Sequence, residues 1–214
     1  MAIRAVVFDI GGILEVTPRR DDPTADFPAL HAAWEARLDM PPGELDRRMR
    51  ELDTRLQSMG KDGGLGTCTE EEWLAEWRSA SGMTQEQFDA YMRDFWDVYC
   101  GQPNSELIAY FRSLRPRYQT ALLSNSFVGA QREEQQRFHF DELTDLIIYS
   151  HEVGMAKPDP RIFQLTCQRL GVQPAEMVFL DDSPTHVAAA RELGIHAILF
   201  QDNAQAIADI QACL

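Results

Sequence analysis

The chain has 214 residues, which is enough for one large domain or for a core domain with a smaller insert. Its formal net charge of -14 argues against partners that need a basic protein face, namely nucleic acids and anionic membrane surfaces. No apolar run approaches the roughly 18 residues of a membrane span. An acidic protein that binds an anionic substrate would need a local cation, either a metal ion or a well-placed lysine.

The cysteines favour a reducing compartment. Four of them are scattered along the chain without a CxxC pair, which is typical of free thiols in the cytoplasm. The N-terminus leads straight into an apolar strand, without the charged region, long apolar segment and cleavage site of a secretory signal. We therefore expect a cytoplasmic protein.

The first predicted element is the apolar run 5–8, which stops at Asp9 and is followed by Gly11 and Gly12. Continuous apolar and β-branched residues predict a buried parallel strand. Ligands of open α/β sheets bind just beyond the carboxyl ends of such strands, so Asp9 is expected at the mouth of a crevice. The two glycines let the backbone turn sharply there. Taken alone, the pattern also fits a strand that simply ends in a turn.

The next part of the chain predicts a helical insert. Prolines mark residues 17–28 as a loop or hinge. Apolar residues then recur at helical spacing up to about residue 100, and Thr69 followed by Glu72 has the spacing of a capping box. Four helices without a strand predict an all-helical cap domain over residues 17–100.

Strands and helices alternate from about residue 104 onward. Strands are predicted at 119–124, 146–150, 177–180 and 195–200, each followed by a helix. This alternation predicts an α/β fold with a parallel, doubly wound, Rossmann-like sheet. Residues 1–16 and 101–214 would form this core domain, with the cap inserted between them.

Polar residues gather at the ends of these strands and in the following loops. Ser124 and Asn125 close the second predicted strand, Lys157 precedes a proline in a loop, and Asp181 and Asp182 close the fourth strand. Separately they are ordinary loop residues, a solvated lysine and a helix N-terminus. In this order, at one edge of a parallel sheet, they favour a common site with Asp9.

The chemistry of this set suits phosphoryl transfer. A carboxylate can attack phosphorus and form an aspartyl-phosphate. Several carboxylates would repel a phosphate dianion unless a divalent cation lies between them, and Mg²⁺ prefers carboxylate, carbonyl, water and phosphate oxygens. Lys157 and the Ser124 hydroxyl would hold the remaining phosphate oxygens. We therefore predict a Mg²⁺-dependent enzyme whose partner is a small phosphorylated metabolite.

The sequence resembles the haloacid dehalogenase (HAD) superfamily, in its phosphatase-like branch with a helical cap after the first strand. Four motifs carry this resemblance across essentially the whole chain, namely Val7-Phe8-Asp9 with its glycines, Leu123-Ser124-Asn125, Lys157-Pro158-Asp159 and Phe179-Leu180-Asp181-Asp182-Ser183.

The resemblance implies a role for each motif. Asp9 would be the nucleophile and a metal ligand, and the backbone carbonyl of Gly11 would also contact the metal. Asp182 would be the more direct metal ligand of the acidic pair, with Asp181 acting directly or through a water. The implied phosphate-binding residues are Ser124, Asn125 and Lys157, of which Lys157 also belongs to the catalytic set.

One position departs from the family pattern. Most phosphatases of this superfamily carry a second aspartate two residues after the nucleophile, and this chain has Gly11 there. General acid catalysis is worth about 10²–10⁴-fold, so we expect good leaving groups, as in sugar 1-phosphates, acyl phosphates or aryl phosphates. Some sugar-phosphate phosphatases of the superfamily resemble this chain in their Asp-x-Gly motif. Glu15, Thr17 or a water would have to supply the proton.

Two other functions remain open at this point. In a 2-haloacid dehalogenase the aspartate attacks carbon and halide leaves without a proton, which also tolerates Gly11. Such enzymes need no metal and, by resemblance, lack the acidic pair at the fourth motif, so this pair favours the phosphatase. The second alternative is a catalytically weak phospho-ligand-binding protein that has lost its acid/base residue. The sequence makes no prediction about oligomeric state.

Several conspicuous residues are interpreted as structural. The four tryptophans fall in the predicted cap at helical spacing, which favours packing over substrate stacking. The five histidines, His186 among them, show no metal-ligand spacing and are taken as structural or surface residues. Glu133 and Glu134 are interpreted as part of a solvated helix face.

Overall fold

The computed structural model describes residues 2–16 and 26–214, and strands come from both ends of this range. The strands are β1 (Ala5–Phe8), β2 (Glu15–Val16), β3 (Gln102–Pro103), β4 (Gln119–Ser124), β5 (Leu146–Tyr149), β6 (Met177–Asp181) and β7 (His196–Leu199). Five of them form one parallel sheet in the order β5-β4-β1-β6-β7. The predicted α/β fold class is therefore confirmed.

The helices fall into a group before β3 and a group after it. The first group is α1 (Phe27–Arg37), α2 (Glu44–Ser58), α3 (Glu70–Ser81) and α4 (Gln85–Cys100). The second is α5 (Ser105–Ser113), α6 (Ala130–Phe138), α7 (Phe140–Leu143), α8 (Ser150–Val153), α9 (Pro160–Leu170), α10 (Pro184–Glu192) and α11 (Asn203–Cys213), with a 3₁₀ turn at Pro174–Glu176.

The central strand β1 is buried on both faces of the sheet. Val6 and Phe8 pack into one hydrophobic cluster, while Ala5 and Val7 pack into the other. Successive side chains of a strand point to opposite faces, so an uninterrupted apolar run is what a strand covered by helices on both sides requires. The chain adds strands first on one side of β1 and then on the other, which creates a topological switch point between β1 and β6.

The four helices α1 to α4 share a hydrophobic cluster, to which α6 adds Ala130. Its buried members include Trp34, Trp77, Tyr91 and Phe95. The capping box predicted at Thr69 is present. The Glu72 N–H donates to the Thr69 hydroxyl, and the Thr69 N–H donates to the Glu72 carboxylate. A strong cap favours the start of α3 where the sequence predicted it.

A short antiparallel ribbon lies where the chain leaves β1 and where it returns from the helices. Val16 of β2 pairs with Gln102 of β3. Residues 17–25, within the predicted proline-rich loop, fall outside the described residues. The division into a core of 1–16 with 101–214 and a cap of 17–100 stays a prediction, and the ribbon lies at its boundary.

The structure bears on two features read from the sequence, namely the state of the cysteines and the lack of a long apolar run. All four cysteines are free, and three of them are buried. Among the residues that the structure describes, no helix combines the length and the apolar character that crossing a membrane requires.

Candidate active site

The switch point of the sheet brings two carboxylates side by side. Phe8 of β1 pairs with Leu180 of β6, and the Asp9 backbone N–H continues the ladder by donating to the Leu180 carbonyl at 2.9 Å. Asp9 and Asp181 therefore emerge from adjacent strands at the same edge of the sheet. Asp9 is only 8% exposed and Asp181 is 0% exposed, so each carboxylate charge needs a close partner.

Lys157 is that partner for both carboxylates. Its Nζ lies 2.8 Å from Asp9 Oδ1 and 2.7 Å from Asp181 Oδ2, and its side chain is fully buried. Asn125 fixes the lysine backbone through a reciprocal pair: its Nδ2 donates to the Lys157 carbonyl, and its Oδ1 accepts from the Lys157 N–H, both at 2.7 Å. Residues from the first, second, third and fourth sequence motifs thus meet in one place.

The loop after β4 is held against the first residues of α8, which directly follows β5. Ser124 ends β4 next to β1 and is buried. Two residues later, the Ser126 N–H donates to Ser150 Oγ at 3.0 Å, and Ser126 Oγ lies 2.9 Å from His151 Nδ1. These contacts give the predicted phosphate-binding loop a defined position beside Asp9.

His186 was interpreted as structural or surface from the sequence, but it contacts the site. Its Nδ1 lies 3.1 and 3.2 Å from the two carboxylate oxygens of Asp181, and the Ser183 N–H donates to Asp181 Oδ1 at 2.8 Å. Burial raises the pKa of Asp181, but these hydrogen bonds and Lys157 outweigh it and lower that pKa. The position of His186 in the first turn of α10, four residues after Asp182, was the signal that could have found it.

The pKa of Asp9, the candidate nucleophile, lies above the ordinary value for an aspartate. Burial raises its pKa to about 6, with Lys157 opposing the rise and Asp181 adding to it. The Ile10 N–H also donates to Asp9 Oδ1 at 2.8 Å, which favours the charged form. The Lys157 ammonium and this N–H both favour the ionised carboxylate that nucleophilic attack needs.

The donor atoms fit a cation that prefers oxygen ligands. Asp9, Asp181 and His186 each offer a ligand atom, and these atoms lie within 4.8 Å of one another. The two buried carboxylates suit Mg²⁺, while the His186 nitrogen already faces Asp181. The predicted ligands Asp9, Asp181, Asp182 and Gly11 keep their roles as predictions.

The two glycines after Asp9 differ, because only Gly12 is required by its backbone conformation and its surroundings. Gly12 has a φ of 73° and lies so close to the Asp182 carboxylate that an added Cβ would overlap it. Asp182 itself is exposed beside this turn. Gly11 is exposed too, and a Cβ there would meet nothing within 4 Å. Space for an aspartate therefore exists at the position where this chain lacks one.

A second pair of acids is buried beside the site. Glu15 and Glu134 are 5% and 0% exposed, and each has one carboxyl oxygen without a hydrogen-bond partner in the described part of the chain. Burial, then the charges of Glu134 and Asp9, raise the pKa of Glu15 to about 10. Burial raises the pKa of Glu134 to about 7. The interpretation of Glu134 as part of a solvated helix face was wrong, because α6 packs this residue inward.

The chain belongs to the haloacid dehalogenase-like hydrolases, since residues 3–194 match that family. It is 28% identical to bifunctional epoxide hydrolase 2 of Sus scrofa over 99% of its own length but spans only 39% of that protein. It is 34% identical to a phosphatase of Mycobacterium tuberculosis over 39% of each chain.

A solved structure has the same fold. It is a HAD family enzyme of Bacteroides thetaiotaomicron in complex with magnesium and inorganic phosphate, with a TM-score of 0.73 and 22% sequence identity. The match covers 96% of this chain and 99% of that one. The match to the family over residues 3–194 confirms the predicted membership of the HAD superfamily.

Proposed function

We propose that the protein is a Mg²⁺-dependent phosphomonoester hydrolase that acts on a small phosphorylated metabolite through an aspartyl-phosphate on Asp9. The observation that carries this proposal is the buried Lys157 ammonium between Asp9 and Asp181, at 2.8 and 2.7 Å. A buried cation between two acids at the switch point suits a doubly negative group that must enter an acidic protein. Family membership and the phosphatase among its relatives support the same reaction.

The reaction takes place in two displacements at phosphorus. An Asp9 carboxylate oxygen attacks phosphorus, the bond to the leaving-group oxygen breaks, and that oxygen keeps the electron pair. Water then attacks the phosphorus of the acyl phosphate, the bond to Asp9 breaks, and inorganic phosphate leaves with the carboxylate regenerated. Lys157 and the Ser124 hydroxyl hold the phosphoryl oxygens, and Asn125 keeps Lys157 in place.

Four groups of this chain would hold the divalent cation, namely the side chains of Asp9, Asp181 and Asp182 and the backbone carbonyl of Gly11. When bound, Mg²⁺ supplies positive charge that neutralises the phosphoryl oxygens as the bonds rearrange. Asp181 is oriented for this role by its contacts with Ser183 and His186.

The leaving group must be one that departs with little protonation. Gly11 offers no side chain that could act as general acid, a contribution worth about 10²–10⁴-fold in enzymes that have it. We therefore infer a preference for sugar 1-phosphates, acyl phosphates or aryl phosphates over ordinary alkyl phosphates. Of the candidates for a residual proton donor, Glu15 is buried beside the site and water is the alternative, while Thr17 lies outside the described residues.

Replacement of the nucleophile tests the proposal. Asp9→Asn should lower kcat/KM for p-nitrophenyl phosphate by more than about 10³-fold, with an unchanged circular dichroism spectrum. The matched control is Asp141→Asn, at an exposed position far along the chain, which should retain parental activity. Near-parental turnover by Asp9→Asn would exclude Asp9 as the nucleophile.

Metal removal separates this function from the two alternatives. EDTA should abolish release of phosphate, and added Mg²⁺ should restore it. Halide release from 2-chloropropionate that persists in EDTA, without phosphatase activity, would identify a dehalogenase instead. Binding of beryllofluoride without turnover of any phosphate ester would identify a phospho-ligand-binding protein.

A further inference from the structure

A cavity of about 450 Å³ lies among the helices of the predicted cap. Six of its lining residues carry aromatic rings of the Phe, Tyr or Trp type, namely Phe27, Trp73, Trp77, Phe95, Tyr99 and Phe127. Five of the six come from the segment before β3, and Phe127 comes from the loop after β4. The cavity therefore lies where the helical segment faces the core.

One wall of this cavity is continuous with the candidate phosphate-binding loop. Phe127 follows Ser126 directly, and the neighbouring Val128 N–H donates to the carbonyl of Gly63, which also lines the cavity, at 3.1 Å. The carbonyl of Gly64 accepts from Ser150 Oγ at 2.8 Å. Asp9 does not line the cavity. This placement suits the organic part of a substrate whose phosphoryl group lies at Asp9.

The aromatic rings are packed in mutual contact. The ring centroids of Trp73 and Trp77 are 4.6 Å apart, and those of Trp73 and Phe127 are 5.2 Å apart. Trp77 is almost fully buried, whereas Trp73 is half-buried. Trp77 thus agrees with the packing role inferred from the sequence, while Trp73 is able to contact a ligand as well. Aromatic rings favour stacked or edge-on contacts with another ring.

Two carboxylates give the cavity a negative charge. Asp53 and Asp62 both line it, and so does His31, which pairs with Asp46, whereas no lysine or arginine of the described ranges lines it. Asp53 is an exposed residue of the lining, and partial burial, followed by the charge of Asp62, raises its pKa. Asp62 is anchored, because its Oδ1 accepts from the Gly64 N–H at 2.8 Å. A cationic group in the cavity would be attracted, and an anionic one would be repelled.

We propose that this cavity is the leaving-group subsite and that it takes the ring of an aryl phosphate carrying a cationic substituent. The proposal rests on the function proposed above and narrows its substrate class. Two independent features agree on an aryl group: Gly11 supplies no general acid, so a phenolate leaves more readily than an alkoxide, and the cavity is lined by aromatic rings. The carboxylates of Asp53 and Asp62 account for the preferred charge.

A series of phenyl phosphates with matched leaving groups tests the charge preference. The substrates are O-phosphotyramine, 4-ethylphenyl phosphate and 3-(4-phosphonooxyphenyl)propionate, which carry an ammonium, no charge and a carboxylate. We expect kcat/KM to fall in that order, with about fivefold between the first two. The alkyl ester 2-phenylethyl phosphate should be at least about 100-fold poorer than its phenyl counterparts. Acetyl phosphate, which has no ring, reports on the catalytic centre alone.

Variants of the lining sharpen the test. Asp53→Asn should reduce the preference for O-phosphotyramine over 4-ethylphenyl phosphate to about half of its parental value, because only the Asp62 carboxylate then remains in the lining. The control Glu51→Gln removes an acid from the same helix outside this cavity and should leave that ratio unchanged. Trp73→Ala should lower kcat/KM for the phenyl phosphates about tenfold.

The outcomes separate the subsite from the proposed function. If acetyl phosphate is hydrolysed but the three phenyl phosphates react equally well, or the carboxylate reacts best, the subsite is wrong and the function stands. If no phosphate ester is hydrolysed, the proposed function is wrong. Tryptophan fluorescence then tests whether the cavity binds a cationic aryl compound. Quenching by tyramine at lower concentration than by 4-ethylphenol, weakened in Asp53→Asn, supports the cationic aryl subsite. The same response to both compounds, or none, overturns it.

Discussion

Two regions of the molecule are built by different means. The first is the strand-end site, formed by Asp9, Asp181 and Lys157, and the second is the cap cavity, the aromatic-lined cavity among the helices of the predicted cap. In the site, Asp9 and Asp181 stand at the ends of adjacent parallel strands, so the register of the sheet fixes their separation, and Lys157 neutralises both. The cavity instead combines side chains from separate helices and loops, such as Trp73 and Phe127, held by contacts between rings. If the proposed function holds, the sheet determines the reaction and the packing of the helical segment determines the leaving group.

The largest expected effect comes from removing the charge that joins the two acids. Lys157→Met leaves Asp9 and Asp181 buried without their partner, which should lower the free energy of unfolding by about 3–5 kcal/mol. Added Mg²⁺ should recover part of this loss, because a divalent cation would take over the neutralisation. Urea unfolding with and without Mg²⁺ measures both effects.

A surface lysine gives the matched control for this variant. Lys61 pairs with Glu72 at 3.1 Å in a partly exposed position, so Lys61→Met should cost less than about 1 kcal/mol. Equal losses for the two variants would mean that the strand-end site is no more dependent on charge pairing than the protein surface.

Restoring the missing acid should change the reaction without changing the cavity. Gly11→Asp fits the open space at that position and should raise kcat/KM for alkyl phosphates by up to about 100-fold, with a smaller gain for aryl phosphates. Gly11→Asn has the same size but no acidic proton, and we expect no such gain from it. A uniform increase across both substrate types would refute the leaving-group argument.

A smaller effect is expected from the histidine that supports the acidic pair. His186→Asn removes the contact with Asp181 and should weaken activation by Mg²⁺ about tenfold. Mutation of a residue that holds a metal ligand commonly has an effect of this size. The Mg²⁺ dependence of kcat/KM measures this change. His196→Asn, at an exposed strand position, is the control. An unaltered Mg²⁺ dependence in His186→Asn would assign this residue a purely structural role.

The smallest predicted effect is a pH dependence of stability at Glu134. Its pKa is raised to about 7 in the folded protein, so the folded state holds this proton more tightly than the unfolded state between its ordinary pKa of 4.5 and about 7. The stability contributed by the neutral carboxyl is therefore present at low pH and is lost as the pH rises through this window.

Glu134→Gln should remove this loss. The variant should melt above the parental protein at about pH 8 and close to it at about pH 4, with roughly 2–4 °C for each kcal/mol regained. Thermal unfolding at the two pH values checks this, with the exposed Glu142→Gln as control. A difference in Tm that is equal at both pH values would contradict the burial of a neutral Glu134.

Residues whose positions follow from the sheet could be predicted from the sequence. Asp9, Ser124 and Asp181 each end an apolar run, and parallel strands bring such positions to one edge. Lys157 has no strand of its own, and its place beside them was implied by the resemblance to a family rather than by periodicity.

Features that depend on packing between distant segments could not be predicted in this way. Glu134 lies in a polar helix whose inward face shows no apolar stripe, so its burial depends on what packs against α6. The strands β2 and β3 have two residues each, too few for any pattern to show. The cap cavity needs the relative positions of helices and loops that the sequence does not specify locally.

The most direct test of the central claim is to trap the phosphorylated nucleophile. The protein is quenched during steady hydrolysis of acetyl phosphate with Mg²⁺, treated with borohydride, which reduces an acyl phosphate to the alcohol, and digested for mass spectrometry. We predict homoserine at position 9 in the parental protein and its absence when Mg²⁺ is replaced by EDTA or when the variant is Asp9→Asn. Steady turnover with Asp9 unmodified, or with the reduced residue at another acid, would contradict the account.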